Sequence, residues 1–356
     1  MAGANTLRLV MLGGSSAHTG GVEAFCDRAS AALARDGHWQ VTRIMTSSAY
    51  LSLGTLALYL RGIAALIGQR RDRPDCIWLH YVNLPDLAYL IVARLLGMRV
   101  MVTPHLGSNW KSQSSPVLRR LSGWALRHAS RFALLSATQE GELNLPASVP
   151  RSRIITFLPA EMLAARPDPL AKDPAQLRLI HASRLSEGKG SFLVVDVCAA
   201  LRDAGLVFSA EIVGPADAVT NAALHDRIAR HQLADHVTVP GPKSMPQMVV
   251  ALQRSDVLIH LSRIDSYPLI VLEAMACGVV PVCLDLAGAR SMVATYDGHV
   301  VGPERPVEDT AEWIAGLVIA DIRRRGNDIS QRVRADFDWS QCLQALDAAL
   351  RECLRA

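Results

Sequence analysis

Two cations lie close together in the segment Ala182–Gly190, between a strand-like apolar run and a helical pattern. They are Arg184 and Lys189, and the glycines Gly188 and Gly190 flank the lysine. Fixed cations and accessible backbone amides at a strand–helix junction would neutralise a diphosphate and stabilise charge on a leaving group. The simpler interpretation, two solvated cations in a loop, stays open.

An acid-bearing motif follows about 80 residues later, in the segment Asp265–Gly278. Pro268 fits the first turn of a short helix, and the final glycine fits its C-terminal cap. Glu273 is the one charge in this apolar helix, and such a charge is costly unless it is paired or binds a ligand. The free amides around Leu269 and Ile270 would face an anion. A glutamate on a narrow wet face is the alternative.

The first strand-like run is followed by His18–Glu23, with Gly20 and Gly21 at the start of a helical pattern. Glycines at a helix start let backbone N–H groups approach an anion or a sugar hydroxyl. A plain tight turn would use the same glycines, and the spacing is not the dinucleotide fingerprint GxGxxG.

A histidine follows another strand-like run, in the segment Thr103–Ser108. At the carboxyl end of a strand, His105 would suit hydrogen bonding to substrate hydroxyls or proton handling. A loop histidine without a role is the alternative.

Short apolar strands alternate with amphipathic helices along the chain, which is typical of α/β proteins with a parallel sheet covered on both faces. In such sheets ligands bind beyond the carboxyl ends of the strands, where these motifs lie. The predicted strands are Leu7–Leu12, Val41–Met45, Cys76–His80, Val100–Thr103, Phe132–Leu135, Leu177–Ala182, Phe208–Val213, Val237–Val239, Val257–His260 and Val279–Leu284.

The 356 residues suggest two domains, and the segment Ala165–Gln176, with three prolines and mixed charges, is the best boundary. The sequence contains no run of about 18 uncharged apolar residues, which argues against a membrane-spanning helix. Met1–Thr6 leads straight into a strand and lacks the features of a signal peptide. Seven scattered cysteines without a CxxC pair predict reduced core thiols in a cytoplasmic protein, with no disulfide scaffold and no zinc site.

The net charge of +4 is unevenly distributed along the chain. Residues 1–160 carry 17 Lys and Arg against 8 Asp and Glu, a balance of +9, whereas residues 161–356 carry 20 against 25, a balance of −5. A basic first half suggests an anionic surface or ligand. Nucleic acid is not expected, because no recognition motif is present and aromatic residues make up only 5%.

Two basic segments of the first half carry apolar residues as well. Leu51–Ile67 is apolar and is followed by Arg70–Arg73, and Arg119–Phe132 combines arginines with Leu121 and Trp124. Basic amphipathic segments of this kind can lie on an anionic membrane surface. Core helices with wet faces would have the same composition, and both interpretations stay open.

The ordered motifs resemble the retaining glycosyltransferases of family 4, which have the GT-B fold. The match is strong over residues 177–295 and weak over residues 45–160, as expected if that region selects the acceptor. The matching segments are GGVE (20–23), ASRLSEGKG (182–190), AEIVGPA (210–216), HVTVPGPKS (236–244), SDVLIHLS (255–262) and DSYPLIVLEAMACGVVPV (265–282).

The resemblance implies an α/β protein with two Rossmann-like domains whose parallel sheets face across a cleft. Residues 1–165 would bind the acceptor, and residues 166–335 would bind a nucleotide sugar. Residues 336–356 would form a C-terminal helix that packs back towards the first domain.

The resemblance also implies roles for single residues around a UDP-sugar or GDP-sugar donor. Arg184 and Lys189 would neutralise the diphosphate, and Glu273, the second acid of an E-x7-E motif, would bind the ribose. Asp265 occupies the place of the first acid, near the transferred sugar, where the family usually has Glu. Because Asp is shorter, it would shift sugar selectivity or weaken that contact.

Gly20, Gly21 and His105 would line the catalytic cleft from the acceptor side. The sequence departs from the family in two further places: Ser266-Tyr267 replaces a Gly-aromatic pair, and Leu158–Ala160 stands where Asn-Gly is usual at the domain crossover.

The reaction resembled is attack of an acceptor hydroxyl on the anomeric carbon from the face that the nucleoside diphosphate leaves. The protein would supply positioning and cations, without a covalent nucleophile or a divalent metal. The one Asp-x-Asp, Asp336–Asp338, is better explained by Asp338 capping a helix. The working hypothesis is that the acceptor is a glycan or is linked to a lipid. The basic first half and its basic amphipathic segments suggest that the acceptor is presented at the inner face of a membrane, during bacterial polysaccharide or glycolipid assembly.

Other classes share parts of this pattern. A nicotinamide-dependent dehydrogenase should show GxGxxG after its first strand. A sugar-nucleotide epimerase should carry carboxylates and a histidine suited to proton abstraction, and a phosphorylase should carry a lysine for pyridoxal phosphate; neither is identifiable. A non-catalytic carbohydrate-binding subunit with a decayed site stays open because of Asp265.

Overall fold

The computed structural model describes residues 6–15, 20–48, 51–106, 111–168, 172–173, 175–265 and 267–356, without the side chains of Lys111 and Ala287. Several positions singled out above lie outside the described residues. They are His18, Thr19, Gly107, Ser108 and Ser266.

The chain divides into two compact units. The first unit comprises Met1–Phe157 and Phe337–Ala356, and the second comprises Leu158–Asp336. The division therefore falls upstream of the segment 165–176 that the prolines suggest as a boundary.

The described part of the first unit forms a parallel sheet in the order β2-β1-β3-β4-β5-β6. Its strands are β1 (Leu7–Leu12), β2 (Trp39–Ile44), β3 (Cys76–Tyr81), β4 (Val100–Pro104), β5 (Arg131–Leu134) and β6 (Arg151–Arg153). Its helices are α1 (Gly21–Asp36), α2 (Leu56–Gly68), α3 (Asp86–Leu95), α4 (Lys111–Ser114), α5 (Pro116–Leu126), α6 (Gln139–Glu142) and α15 (Trp339–Arg355).

The two faces of this sheet bury different helices, because successive strand residues point to opposite sides. Leu9 and Met11 pack with α1 and α15 on one face, whereas Val10 and Leu12 pack with α2, α3 and α5 on the other. Asp338 caps α15 by accepting a hydrogen bond from the backbone N–H of Ser340 at 2.9 Å, so the predicted cap is confirmed.

The described part of the second unit forms a parallel sheet in the order β12-β11-β10-β7-β8-β9. Its strands are β7 (Leu177–Ala182), β8 (Phe208–Val213), β9 (Val237–Gly241), β10 (Val257–His260), β11 (Val280–Leu284) and β12 (His299–Val301). Its helices are α7 (Ala160–Ala164), α8 (Ser191–Asp203), α9 (Ala218–Arg230), α10 (Met245–Arg254), α11 (Leu269–Ala276), α12 (Ala287–Thr295), α13 (Pro306–Ala315) and α14 (Ile319–Asp336).

The α/β class and the parallel sheets are confirmed, and the bounds of β1, β7, β8 and β10 match the prediction. Two edge strands were not predicted. β6 is a polar triplet, and β12 has only three residues, so neither has an apolar run long enough to signal a strand. All seven cysteines are buried and free, as predicted.

Candidate functional site

In the second unit the strand order reverses between β7 and β10, which are neighbours although they are far apart in the chain. The loops after these two strands run in opposite directions from this point, and open α/β sheets bind ligands there. Arg184 and Lys189 lie after β7, and Asp265 lies after β10. The structure therefore brings the predicted cations and the first acid to one edge of one sheet.

Lys189 and Asp265 form a direct ion pair through Nζ and Oδ1. The other carboxylate oxygen, Oδ2, lies 2.9 Å from Nε2 of His260, the last residue of β10. Burial of the carboxyl acts to raise its pKa, but the contacts with His260 and Lys189 outweigh that effect and hold the pKa of Asp265 well below its usual range. Asp265 is therefore a carboxylate at neutral pH, and half of its hydrogen-bonding capacity is already used within the protein.

The turn that carries Lys189 is built around Gly190, whose φ of 76° lies in the left-handed region. A Cβ atom at this position would overlap the carbonyl oxygen of Leu261 in the loop after β10. The two loops are also joined by a hydrogen bond of 2.9 Å from the backbone N–H of Arg263 to the carbonyl of Gly188. Glycine at position 190 thus allows the two site loops to pack directly against each other.

Helix α11 follows the Asp265 loop and begins with Leu269 and Ile270, as predicted. Pro268 precedes the helix as its N-cap residue, one position earlier than predicted. Gly278 follows the last turn with φ 82°, so the predicted C-terminal glycine is confirmed. Glu273 lies half-buried on α11, and its role as a ribose ligand stays a prediction.

Two histidines next to this edge, His181 in β7 and His260 in β10, were not predicted from the sequence as site residues. His181 is buried; its Nδ1 lies 2.9 Å from the carbonyl of Ile259 and its Nε2 lies 3.1 Å from Oγ of Ser191. Burial lowers the pKa of His181 to about 4. Their position in the sequence could have indicated them, because each histidine lies in the carboxyl-terminal part of a predicted strand whose following loop carries a site residue.

Gly20 and Gly21 lie at the start of a helix in the first unit, as predicted. Gly20 is the N-cap residue of α1, and Gly21 is its first residue. The carboxylate of Glu23 also lies at this helix start, where it accepts a hydrogen bond of 3.0 Å from the backbone N–H of Ser15. Any ligand at the Gly20–Gly21 amides would therefore meet an acid of the chain itself.

His105 lies directly after β4, and its Nε2 is 2.9 Å from Nδ1 of His80 in β3. Burial lowers the pKa of His105 to about 4, so the imidazole is neutral at physiological pH. His80 was not singled out from the sequence, because a histidine inside an apolar strand is usually a core residue. Only the pairing of β3 with β4 places it against His105.

Within the described ranges, no cluster of three or more His, Cys, Asp or Glu side chains could hold a metal ion. In the same part of the chain, the helices are too short or too polar to cross a membrane.

Both units match family models of glycosyltransferases. Residues 165–331 match the model described as Glycosyl transferases group 1, and residues 21–160 match the Glycosyl transferase 4-like domain. The chain belongs to the family 4 glycosyltransferases. The resemblance to family 4 glycosyltransferases found from the sequence motifs is confirmed, whereas retention of the anomeric configuration stays a prediction.

Curated relatives of this glycosyltransferase include enzymes of polysaccharide and glycolipid assembly. The putative colanic acid biosynthesis glycosyltransferase WcaL of Escherichia coli is 24% identical over 61% of this chain and 57% of its own. The lipopolysaccharide core biosynthesis mannosyltransferase LpsB of Rhizobium meliloti is 27% identical over 83% of this chain and 84% of its own. The matched stretch spans less than two thirds of the first relatives, which include two D-inositol 3-phosphate glycosyltransferases matched over 60% and 58% of their lengths.

Solved structures with the same fold include sucrose-phosphate synthase from Thermosynechococcus elongatus, with a TM-score of 0.79 and 17% identity over 98% of this chain and 99% of that one. The Anabaena protein Alr3699/HepE, in complex with UDP-glucose, gives a TM-score of 0.73 and 19% identity over 96% and 99% of the two chains. At these identities the likeness shows the fold, and the GT-B fold class is confirmed.

Proposed function

We propose that this glycosyltransferase moves a sugar from a nucleoside-diphosphate sugar to a hydroxyl of a glycan or a lipid-linked acceptor, with retention of the anomeric configuration. The observation that carries the proposal is the ion pair of Lys189 with Asp265 at the strand-order reversal of the second unit. It places a cation and an acid where parallel α/β sheets bind nucleotides.

The donor diphosphate would lie against Arg184 and Lys189 and face the amides of Leu269 and Ile270 at the start of α11. Cations and a helix N-terminus together favour a doubly charged group, and they stabilise the charge that develops on it as it leaves. Glu273 would accept hydrogen bonds from the ribose hydroxyls. The complex of HepE with UDP-glucose supports a nucleotide sugar as the donor class.

Retention requires attack from the face that the diphosphate leaves. The departing phosphate would accept the proton of the acceptor hydroxyl, while Lys189 and Arg184 balance its charge. Asp265 would hold Lys189 in place and lie beside the transferred sugar. In the first unit, Gly20, Gly21 and His105 would contact substrate hydroxyls.

A membrane-presented acceptor is supported by the exposed apolar residues of the first unit. On α5, Val117, Leu121 and Trp124 recur at helical spacing and are 74%, 53% and 47% exposed. On and before α2, the apolar residues Leu53, Leu56, Leu60 and Ile67 are exposed as well.

Arginines accompany both groups of apolar residues. Arg119 and Arg120 are exposed on α5, and exposed arginines at positions 61, 70, 71 and 73 lie on or just after α2. Leu126 and Phe132 are buried, so the apolar residues of the second basic segment are divided between the core and the surface. Exposed apolar residues beside cations suit the headgroup region of an anionic membrane.

The nucleotide proposal is tested by thermal stabilisation with UDP, GDP, ADP and their sugars. A ligand present at about 100 times its dissociation constant adds about 2.7 kcal/mol to the free energy of unfolding. We expect one nucleotide family to raise the melting temperature of the wild type and of Glu304→Ala, an exposed acid of the second unit, but not of Glu273→Ala. No rise with any nucleotide would overturn the proposal.

A further inference from the structure

His80 is a buried histidine of the first unit, and within the described residues its side chain has one hydrogen-bond partner, another histidine. The side chain is 0% exposed, and its Nδ1 lies 2.9 Å from Nε2 of His105. The other ring nitrogen, Nε2, is buried without a partner. An imidazole in this position has to adopt one tautomer, because a single proton lies between the two rings.

Aromatic side chains pack closely around the ring of His80. Its ring lies 4.5 Å from the ring of Trp78 and 5.4 Å from that of Phe25, measured between centroids. A Cβ atom on Gly13 would come within 2.8 Å of the Cβ of His80, so glycine at position 13 allows the backbone to pack directly against this histidine. The indole N–H of Trp78 donates a hydrogen bond to the hydroxyl of Thr103 and not to either histidine.

Two tautomeric arrangements are compatible with the distance between the rings. If His105 donates, His80 carries its proton on Nε2, and a buried N–H group has no acceptor, which costs about 1 to 3 kcal/mol. If His80 donates from Nδ1, the buried unpaired atom of His80 is a lone pair, and the remaining N–H lies on Nδ1 of His105, which is not a buried unpartnered atom of the described residues. Orphaned N–H groups are the rarer case in proteins.

The charge of Arg43 favours the same arrangement as the burial of Nε2. Burial lowers the pKa of His80 well below its usual range, and the neighbouring His105 and the positive charge of Arg43 act in the same direction. A nearby positive charge favours a lone pair over an N–H dipole on the neutral ring. Arg43 also keeps Nε and Nη2 buried without acceptors, so the site is rich in donors and poor in acceptors.

We infer that His80 is a positioning residue that donates from Nδ1 to His105 and fixes His105 as its Nδ1–H tautomer. In this tautomer the Nδ1–H of His105 would donate a hydrogen bond to a substrate oxygen. His105 then acts as a hydrogen-bond donor to a sugar or acceptor hydroxyl and does not serve as a general base. The catalytic part of this inference rests on the proposed function; the tautomer does not.

The tautomer is measured directly on the ligand-free protein by two-bond nitrogen–proton correlation spectra of ¹⁵N-histidine-labelled chain. Spectra of His80→Asn and His105→Asn assign the two rings among the 11 histidines. We expect Nδ1 of His105 to be of the protonated type and Nε2 of the unprotonated type. The reverse pattern would overturn the inference, whatever the enzyme does.

Activity variants separate positioning from packing. The side-chain amide of His80→Asn can still donate from near the Nδ1 position, whereas His80→Leu cannot donate. We expect kcat for donor turnover to fall about 10- to 100-fold in His80→Leu, with the loss of one positioned donor, and to be largely kept in His80→Asn. Equal loss in the two variants, with both folded, would contradict a role for the hydrogen bond. Absence of any turnover in the wild type would instead count against the proposed function.

Discussion

Lys189 and Asp265 are 76 residues apart in the sequence and form an ion pair at the carboxyl edge of the second sheet. The pair joins the loops after β7 and β10, and His260 fixes the second carboxylate oxygen. The lysine that would bind a diphosphate is therefore held in place before any ligand arrives, so little side-chain entropy is lost when the ligand binds.

Replacing Asp265 by Asn removes the charge that holds Lys189. We expect kcat/KM for the donor to fall about 100-fold, comparable to the loss of one electrostatic contact in an active site. Steady-state kinetics with Asp196→Asn, which breaks the pair with Arg227 elsewhere in the second unit, should show little change. Asp265→Glu should recover part of the activity. Unchanged kinetics in Asp265→Asn would argue against the role of the pair.

The pH dependence of stability should also reveal Asp265. Its pKa is lower in the folded chain than the value of about 3.9 in an unfolded one, so its carboxylate stabilises the fold above about pH 4 and this contribution is lost as the pH falls further. The difference in melting temperature between wild type and Asp265→Asn should be constant from about pH 7 to 5 and shrink below about pH 4. A difference that grows on acidification would contradict the assigned direction.

The close approach at Gly190 predicts a stability effect beyond its backbone angle. Gly190→Ala and Gly205→Ala place alanine at nearly the same positive φ, 76° and 74°, but only Gly190 faces the backbone of Leu261. The left-handed conformation alone costs about 1 to 2 kcal/mol, and the overlap adds about 1 to 3 kcal/mol at position 190. Urea unfolding measures both variants, and equal losses would show that the site loops do not depend on this contact.

Binding to membranes is predicted to depend on the exposed residues of α5. Wild-type protein should float with phosphatidylglycerol vesicles at low salt and not with neutral phosphatidylcholine vesicles. The double variant Leu121→Gln/Trp124→Gln should remain unbound. Val219→Gln, which removes an 81% exposed apolar side chain from the second unit, should bind as the wild type does. Flotation that is indifferent to lipid charge, or unaffected by the double variant, would refute this surface.

The sequence was sufficient for the elements that bury apolar runs and for the motifs attached to them. Strands such as Leu177–Ala182 and Val257–His260 are mostly apolar and buried, so their bounds and the loops that follow them could be predicted. The parallel class followed from their alternation with helices. The edge strands Arg151–Arg153 and His299–Val301 could not be predicted, because a short edge strand needs little apolar surface.

Contacts that depend on strand order could not be predicted. The ring of His181 lies against the carbonyl of Ile259 because β7 and β10 are neighbours in the sheet, although these two residues are 78 positions apart in the chain. His80 meets His105 because the register of β3 and β4 pairs His80 with Thr103, two residues before His105. Such positions follow from pairing and register, which a single sequence specifies only through the complete fold.

The central claim, donor turnover at the edge that carries Lys189, is tested most directly by release of nucleoside diphosphate from UDP-sugars and GDP-sugars, with and without added lipid and glycan acceptors. We expect the wild type and Arg324→Met, which removes an exposed arginine of α14, to release one diphosphate at similar rates. Lys189→Met should be slower by about 100- to 1,000-fold. Release of the diphosphate by Lys189→Met at the wild-type rate would contradict the account. Failure of the wild type and of every variant to release a diphosphate from any of the donors would contradict it as well.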